Sequence, residues 1–248
     1  MDRLIYTTMT AAKQVLEQQA TVSHNMANAA TTGFRAQIDS FRAVPVEGKG
    51  LATRTQVVDE TSGADYAQGA ITDTGRSLDM AVDGQGWIAV QAASDGKEAY
   101  TRAGSLKINQ NGLLQTEAGD LVVGDSGPIS IPYNTPLMIG KDGTISQETP
   151  SSIPVTMEVV GQIKLVNPST DNLKRGDDGL FRTQDGATVV RDPNVFAKGG
   201  ALEDSNVNVV EAMVKMIGLG RQFEMNMTLL KNVDGNASKA SQLMNLTQ

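Results

Sequence analysis

Apolar residues recur on a 3-4 spacing at both ends of the chain, while the middle alternates with a period of two. At the front, Ile5, Met9, Ala12, Leu16 and Met26 follow that spacing, with polar Gln19 and Ser23 in the skipped steps. At the back, Val209, Met213, Met216, Gly220, Phe223, Met227, Leu230, Ala237 and Met244 do the same. Such a period belongs to a helix that presents one apolar seam to another helix. The spacing predicts a first helix from about residue 2 to 30, with Asp2 as an N-cap or first-turn anion. Gly33 suits the left-handed position that ends a helix, and Phe34 is expected to fold back onto the last turn. The second helix is predicted from residue 208 toward residue 246, opened by Asn208-Val-Val-Glu211, which reads as a capping box.

Between these ends the pattern changes twice. Residues 37–77 are irregular and hold Pro45, Gly48 and Gly50. They predict an extended connector with one or two strands, such as 53–59. From 78 to 205 short alternating runs predict strands at 78–82, 87–91, 99–101, 105–108, 113–116, 121–123, 129–131, 137–139, 155–166, 180–183 and 188–190. Asp83-Gly84, Asp95-Gly96, Asn111-Gly112, Asp142-Gly143, Asp178-Gly179 and Asp185-Gly186 separate them. These dipeptides tolerate positive φ and are the strongest short-range hairpin signal. Trp87, the single tryptophan, is expected to plug the core. The fold class is therefore α+β: long N- and C-terminal helices pairing as a coiled-coil-like segment, with an inserted irregular antiparallel β domain. The expected division is 1–36 with 206–248 as a helical assembly domain, 37–77 as connector, and 78–205 as the β-rich outer domain.

Composition narrows the function. The chain has 248 residues, 21 Lys and Arg against 28 Asp and Glu, and a formal net charge of −7. An acidic balance without a basic block gives no footing for nucleic acid or an anionic membrane surface. There are no cysteines, so disulfides, thiolate nucleophiles and cysteine-ligated metals are excluded. No run approaches the roughly 20 apolar residues of a membrane span. The first ten residues lack the apolar core of a signal peptide, so export without a cleaved signal is expected. The only histidine, His24, has no second imidazole or thiolate to join it in a catalytic triad or zinc site. Gly84-Gln-Gly86 lacks the third glycine of a dinucleotide fingerprint. Asp125, Asp142, Asp177, Asp178 and Asp185 lack the ligand ladder of a calcium loop and read as turn residues. Glu203 and Asp204 are expected as solvated charges ahead of the second helix. Arg221 is expected to pair with a carboxylate such as Glu17 or Glu224 and to set helix register. No enzyme, metal or cofactor is expected.

Three motifs then carry a resemblance. Asn25-Met-Ala-Asn28-Ala-Ala-Thr31-Thr-Gly33-Phe34-Arg35 is similar to the N-terminal signature of the axial rod and hook proteins of the bacterial flagellum. Leu202-Glu203-Asp-Ser205-Asn206-Val207-Asn208, followed by Glu211, Met213, Met216-Ile217, Arg221, Phe223-Glu224 and Asp234, resembles their C-terminal signature. Leu78-Asp-Met-Ala-Val and Gly86-Trp87, then Tyr100-Thr-Arg102-Ala-Gly104-Ser105, look like their shared β region. The opening Met1-Asp2, Ile5-Tyr6-Thr7 and Met9, with 41–48, is most similar to proximal-rod members.

The resemblance implies a non-enzymatic structural subunit whose terminal helices line an inner tube and whose β domain lies outside. It implies rod proteins and copies of itself as partners, the flagellar type III export apparatus in transit, and a place in the basal-body rod crossing the periplasm. The assembly interface expected from seam and signature together is Ile5, Met9, Ala12, Leu16, Asn25, Met26, Asn28, Thr31, Gly33, Phe34, Val209, Met213, Met216, Ile217, Gly220, Arg221, Phe223, Met227 and Leu230. The seams hold more apolar surface than one pair of helices covers, so the termini are expected to order chiefly against neighbouring subunits. Alternatives are a distal-rod subunit, a secreted adhesin with coiled-coil ends, and a β-rich hydrolase, the last lacking a nucleophile–base pair.

Overall fold

The turn dipeptides punctuate the middle of the chain as expected: the glycine of each of the six Asp-Gly and Asn-Gly pairs between residues 78 and 205 has positive φ, which lets short strands reverse direction. The computed structural model describes residues 2–45, 55–132, 136–149 and 156–245. The architecture is α+β, with two long helices and many antiparallel strands. It divides into two units. One comprises 1–28, 37–65 and 207–248; the other comprises 29–36 and 66–206.

In the first unit, helix α1 spans Asp2–Ala27 and helix α2 spans Val209–Asn245. Asn208 caps α2, its Oδ1 accepting from the N–H of Val210 at 3.0 Å and of Glu211 at 3.3 Å, which satisfies two donors of the first turn. Residues 37–65, part of the stretch expected to be an extended connector with one or two strands, form an antiparallel hairpin of β1 (Gln37–Pro45) and β2 (Thr55–Ala64), with a register shift between Ser40 and Phe41. The backbone forms a ladder here despite weak side-chain alternation, because pairing satisfies its N–H and C=O groups whatever the side chains are. The expected strand at 53–59 begins outside the described residues.

In the second unit, antiparallel strands Leu173–Arg175, Phe181–Thr183, Glu98–Thr101, Trp87–Gln91, Leu121–Gly124, Leu114–Thr116 and Leu106–Ile108 lie side by side in that order. Leu137–Ile139, Thr144–Thr149 and Thr156–Gln162 form a separate three-stranded sheet. Two-stranded ladders join Met80–Asp83 to Phe196–Gly199 and Ile71–Asp73 to Ala201–Glu203. The core gathers Met80, Val82, Ile88, Val90, Leu106, Leu114, Val122, Ile145, Ile163 and Leu165. Trp87 is buried as expected, edge-on to Tyr66 and tilted 4.5 Å from the Phe181 ring. Residues 188–190 form no strand; Val190 is exposed and Val189 donates its N–H to the Tyr100 hydroxyl. Among the described residues, no helix is long and apolar enough to cross a membrane.

Candidate assembly interface

The seam between the helices sits one step around from the expected one. Val15, Val22, Ala212 and Leu219 are buried together, with Met26, Met216 and Phe223 packed against them. Along α1 the seam positions are thus Val15, Val22 and Met26, with Ala12 also buried, while Met9 and Leu16 are exposed. Along α2 they are Ala212, Met216, Leu219 and Phe223, while Val209, Met213, Ile217 and Met227 are exposed. Of the expected interface residues, the fold brings Met26, Met216 and Phe223 into one seam, and Ala12 is buried on α1. Ile5, Gly220 and Leu230 are half-buried. The missed residues were legible as a second 3-4-3-4 track, 12-15-19-22-26. Gln19 in its middle hid it, because the larger Met9 and Leu16 outweigh two valines in a hydrophobic count.

Asn25 anchors the start of β1 to the end of α1. Its Nδ2 donates to the Gln37 carbonyl and its Oδ1 accepts from the Gln37 N–H, both at 2.8 Å. One side chain thereby satisfies both backbone groups where β1 begins. Thr21 adds a 2.8 Å bond to Asp39, and Asn28 donates to the His24 carbonyl at 2.9 Å. His24 itself is exposed.

On the remaining face of α2 an apolar stripe stays exposed among the described residues. Val210, Val214, Ile217 and Met225 lie about half a turn around the helix from the seam, at 3.6 residues per turn. Their exposure runs from 59% at Ile217 to 71% at Val210. A helix apolar on two opposite faces expects a partner on each. Arg221 sits in this second stripe, exposed, beside Glu224, Met225, Thr228 and Leu229. The expected pairing with Glu17 is not formed: Arg221 lies on the face of α2 opposite the seam, and Glu17 lies 3.4 Å from Lys13 one turn away on α1. No ion pair to Glu224 forms either among the described residues.

The signature residues past Asn28 do a different job, inside the β-rich unit. Thr31 is exposed, and its carbonyl accepts from the Phe34 N–H. Gly33 has φ 68°, and a Cβ there would lie 2.2 Å from the Arg102 carbonyl carbon, so only glycine fits. It is not the helix-ending residue expected, since α1 stops at Ala27. Its N–H donates to the Glu203 carbonyl at 2.7 Å. Phe34 is buried, and rather than folding back onto the helix it lies under the Arg175 guanidinium, 4.7 Å from ring centre. Such a cation over an aromatic face is attractive, and burial draws the Arg175 pKa below its usual value.

Arg35 and Glu203 correct a further expectation. Glu203 is fully buried rather than solvated. Its Oε1 lies 2.7 Å from Arg35 Nη2 and accepts from the Gly69 N–H at 3.0 Å, while Oε2 accepts from Arg102 Nη1 at 2.8 Å. Arg102 also donates to the carbonyls of Val82 and Gly84 and stacks 5.5 Å from Trp87. Burial lowers the Arg102 pKa, and the Glu203 carboxylate opposes that shift. A buried charge persists when it is paired and hydrogen-bonded, and Glu203, ion-paired to Arg35 and hydrogen-bonded by Arg102 and Gly69, holds 29–36, residue 69 and Arg102, just past the strand at 98–101, to the segment leading into α2. Asn206 reinforces it, accepting from the Ala36 N–H at 2.7 Å and donating to the Ala67 carbonyl at 3.0 Å. All three places where the chain passes into or out of 37–65 or into α2 are tied at one spot of the β-rich unit. Arg35 and Glu203 stand inside the terminal signatures; nothing in spacing alone marks them as partners.

Turn acids behave as turn chemistry. Asp142 accepts from the Thr144 hydroxyl and N–H, which hold its carboxyl below the usual range. Asp178 is lowered chiefly by hydrogen bonds from Arg182, at 2.6 and 3.0 Å. Among the described residues no three His, Cys, Asp or Glu side chains are grouped to hold a metal.

Comparison with known proteins covers the same segments. Residues 5–35 match the family described as flagella basal body rod protein, residues 81–147 the flagellar hook protein FlgE/F/G D1 domain, and residues 198–243 the flagellar basal body rod FlgEFG protein C-terminal family. The chain is 46% identical to flagellar basal-body rod protein FlgF of Salmonella typhimurium and 47% identical to that of Escherichia coli K12, over 100% of each chain. It is 33% identical to flagellar basal-body rod protein FlgG of Buchnera aphidicola subsp. Schizaphis graminum, covering 90% of this chain and 92% of that one. Helical ends with uncovered faces, the buried tie at Glu203 and full-length identity to rod proteins lead to one conclusion: the chain belongs to the flagellar basal-body rod protein family.

Proposed function

We propose that the chain is a structural, non-enzymatic subunit of the proximal rod of the flagellar basal body. Copies join helically with one another and with other rod proteins, α1 and α2 pairing in a coiled-coil-like manner to line a hollow shaft. The β-rich unit faces outward, and the shaft transmits torque, surrounds the export channel and crosses the periplasm. The flagellar type III apparatus passes each subunit outward. One observation carries this reading: α2 keeps a stripe of exposed Val210, Val214, Ile217 and Met225 opposite the seam it shares with α1. Burying each such residue is worth about 1.5–3 kcal/mol, so a surface of this kind is stable when neighbours cover it. The expected interface residues Met9, Leu16, Val209, Met213 and Met227 are exposed in the same unit and are offered to those neighbours. Electron microscopy of basal bodies from a strain lacking the chain tests the role. Rods stalled before the distal rod support it; a distal rod present without the chain would assign it to a later position, and intact motile flagella would end it.

A further inference from the structure

Two outward faces of the helical unit carry matched charge pairs. On α1, exposed Met9, Leu16 and Ala20 flank Lys13, which pairs with Glu17 one turn on. On α2, exposed Ile217, Met225 and Leu229 flank Arg221 and Glu224. Each face thus reads, from N to C, basic then acidic amid apolar residues. At ~1.5 Å per residue the two charges are about 6 Å apart along α1 and about 4.5 Å apart along α2.

Two faces with the same order of charge complement each other when one is turned end for end. We infer that the outward face of α1 in one copy docks antiparallel on the outward stripe of α2 in a second copy, with Glu17 against Arg221 and Lys13 against Glu224. This rests on the rod-subunit reading and names the contact by which successive copies join. In that register small Ala20 falls opposite Ile217, and Met9 falls beside Thr228 and Leu229. Parallel docking sets Lys13 against Arg221 and is opposed by like charge. Apolar burial supplies the attraction, while the charges, exposed at Lys13, Arg221 and Glu224 and half-buried at Glu17, select orientation, since such pairs add little net stability. The contact is heterologous, so it joins copies into a ring or an open helical array instead of an isologous dimer. Within one copy the docking is impossible, because α1 and α2 already meet through the other seam.

The chain has no cysteine, which makes engineered thiols unambiguous. Full-length Ala20→Cys and Ile217→Cys versions, with different epitope tags, are co-expressed in a strain lacking the native chain. Isolated basal bodies are then treated with a short bismaleimide. The expected product is a dimer carrying both tags. Moving the second thiol to Lys231→Cys, about 21 Å along the helix, should reduce that product at least tenfold. Arg221→Glu should lower the cross-link and the swarm diameter severalfold, and adding Glu17→Arg should restore both. If basal bodies contain the chain but the dimer is absent, if the thiols join a different rod protein, or if the swap fails to rescue, the docking is wrong and the rod role stands. If basal bodies lack the chain altogether, both fall.

Discussion

Removing the Glu203 carboxylate is the sharpest perturbation the fold offers. The group is wholly buried and is the shared counter-ion of Arg35 and Arg102, at 2.7 and 2.8 Å, as well as acceptor for the Gly69 N–H. Glu203→Ala leaves two guanidinium groups facing each other in a site sealed from water. Breaking a buried pair by deleting one partner costs about 3–5 kcal/mol. At roughly 2–4 °C per kcal/mol for a chain of this size, that is a drop of roughly 6–20 °C in unfolding temperature. Trp87 reports the event directly, being the sole tryptophan and 5.5 Å from Arg102, so its fluorescence during urea or thermal unfolding of the full chain is the assay. Replacing all three charges at once, Arg35→Met, Arg102→Met and Glu203→Leu, should recover most of the loss, because apolar residues of similar volume do not need counter-ions. A Glu203→Ala protein that unfolds within ~1 kcal/mol of the parent would refute the tie. So would a triple variant no more stable than the single.

Three further outcomes are tied to individual residues. Gly33→Ala forces a Cβ against the Arg102 backbone at positive φ and should destabilise the β-rich unit by more than about 1 kcal/mol, read by the same Trp87 transition. Asn25→Ala strands the Gln37 N–H and C=O; a cost of ~1–3 kcal/mol should appear as faster amide exchange at the start of β1, and unchanged exchange there would contradict the staple. Tyr100 is buried, which raises its pKa to about 12, with Glu98 adding to the rise. Its folded pKa lies above the usual value near 10, so the stability it contributes is complete below pH 10 and is lost as pH climbs toward 12. Tyr100→Phe should flatten that part of the alkaline unfolding curve, and an unchanged slope between pH 10 and 12 would contradict it.

Much of the fold was legible in the sequence, for reasons that differ by region. Asp-Gly and Asn-Gly turns announce themselves because few other dipeptides accept positive φ, and all six fell where expected. Asn208 was readable because an N-cap is a local device. The helix seam was found only to within one step, since Met9 and Leu16 look like core residues until a real neighbour decides which face is inward. The polar strand Thr144–Thr149 escaped notice because its ladder is set by flanking strands and not by its own side chains. Glu203 was misread for a related reason. A carboxylate before a helix usually meets water, and only the long-range return of Arg35 and Arg102 brings it inside.

Val214→Cys gives the most direct test of whether α2's second face is an assembly surface. The position is 65% exposed in the free subunit, and no other thiol competes. A maleimide should label it readily in dilute purified protein and at least tenfold more slowly in intact basal bodies. Equal labelling in both would mean that this face stays in water, and that the rod is held together by something else.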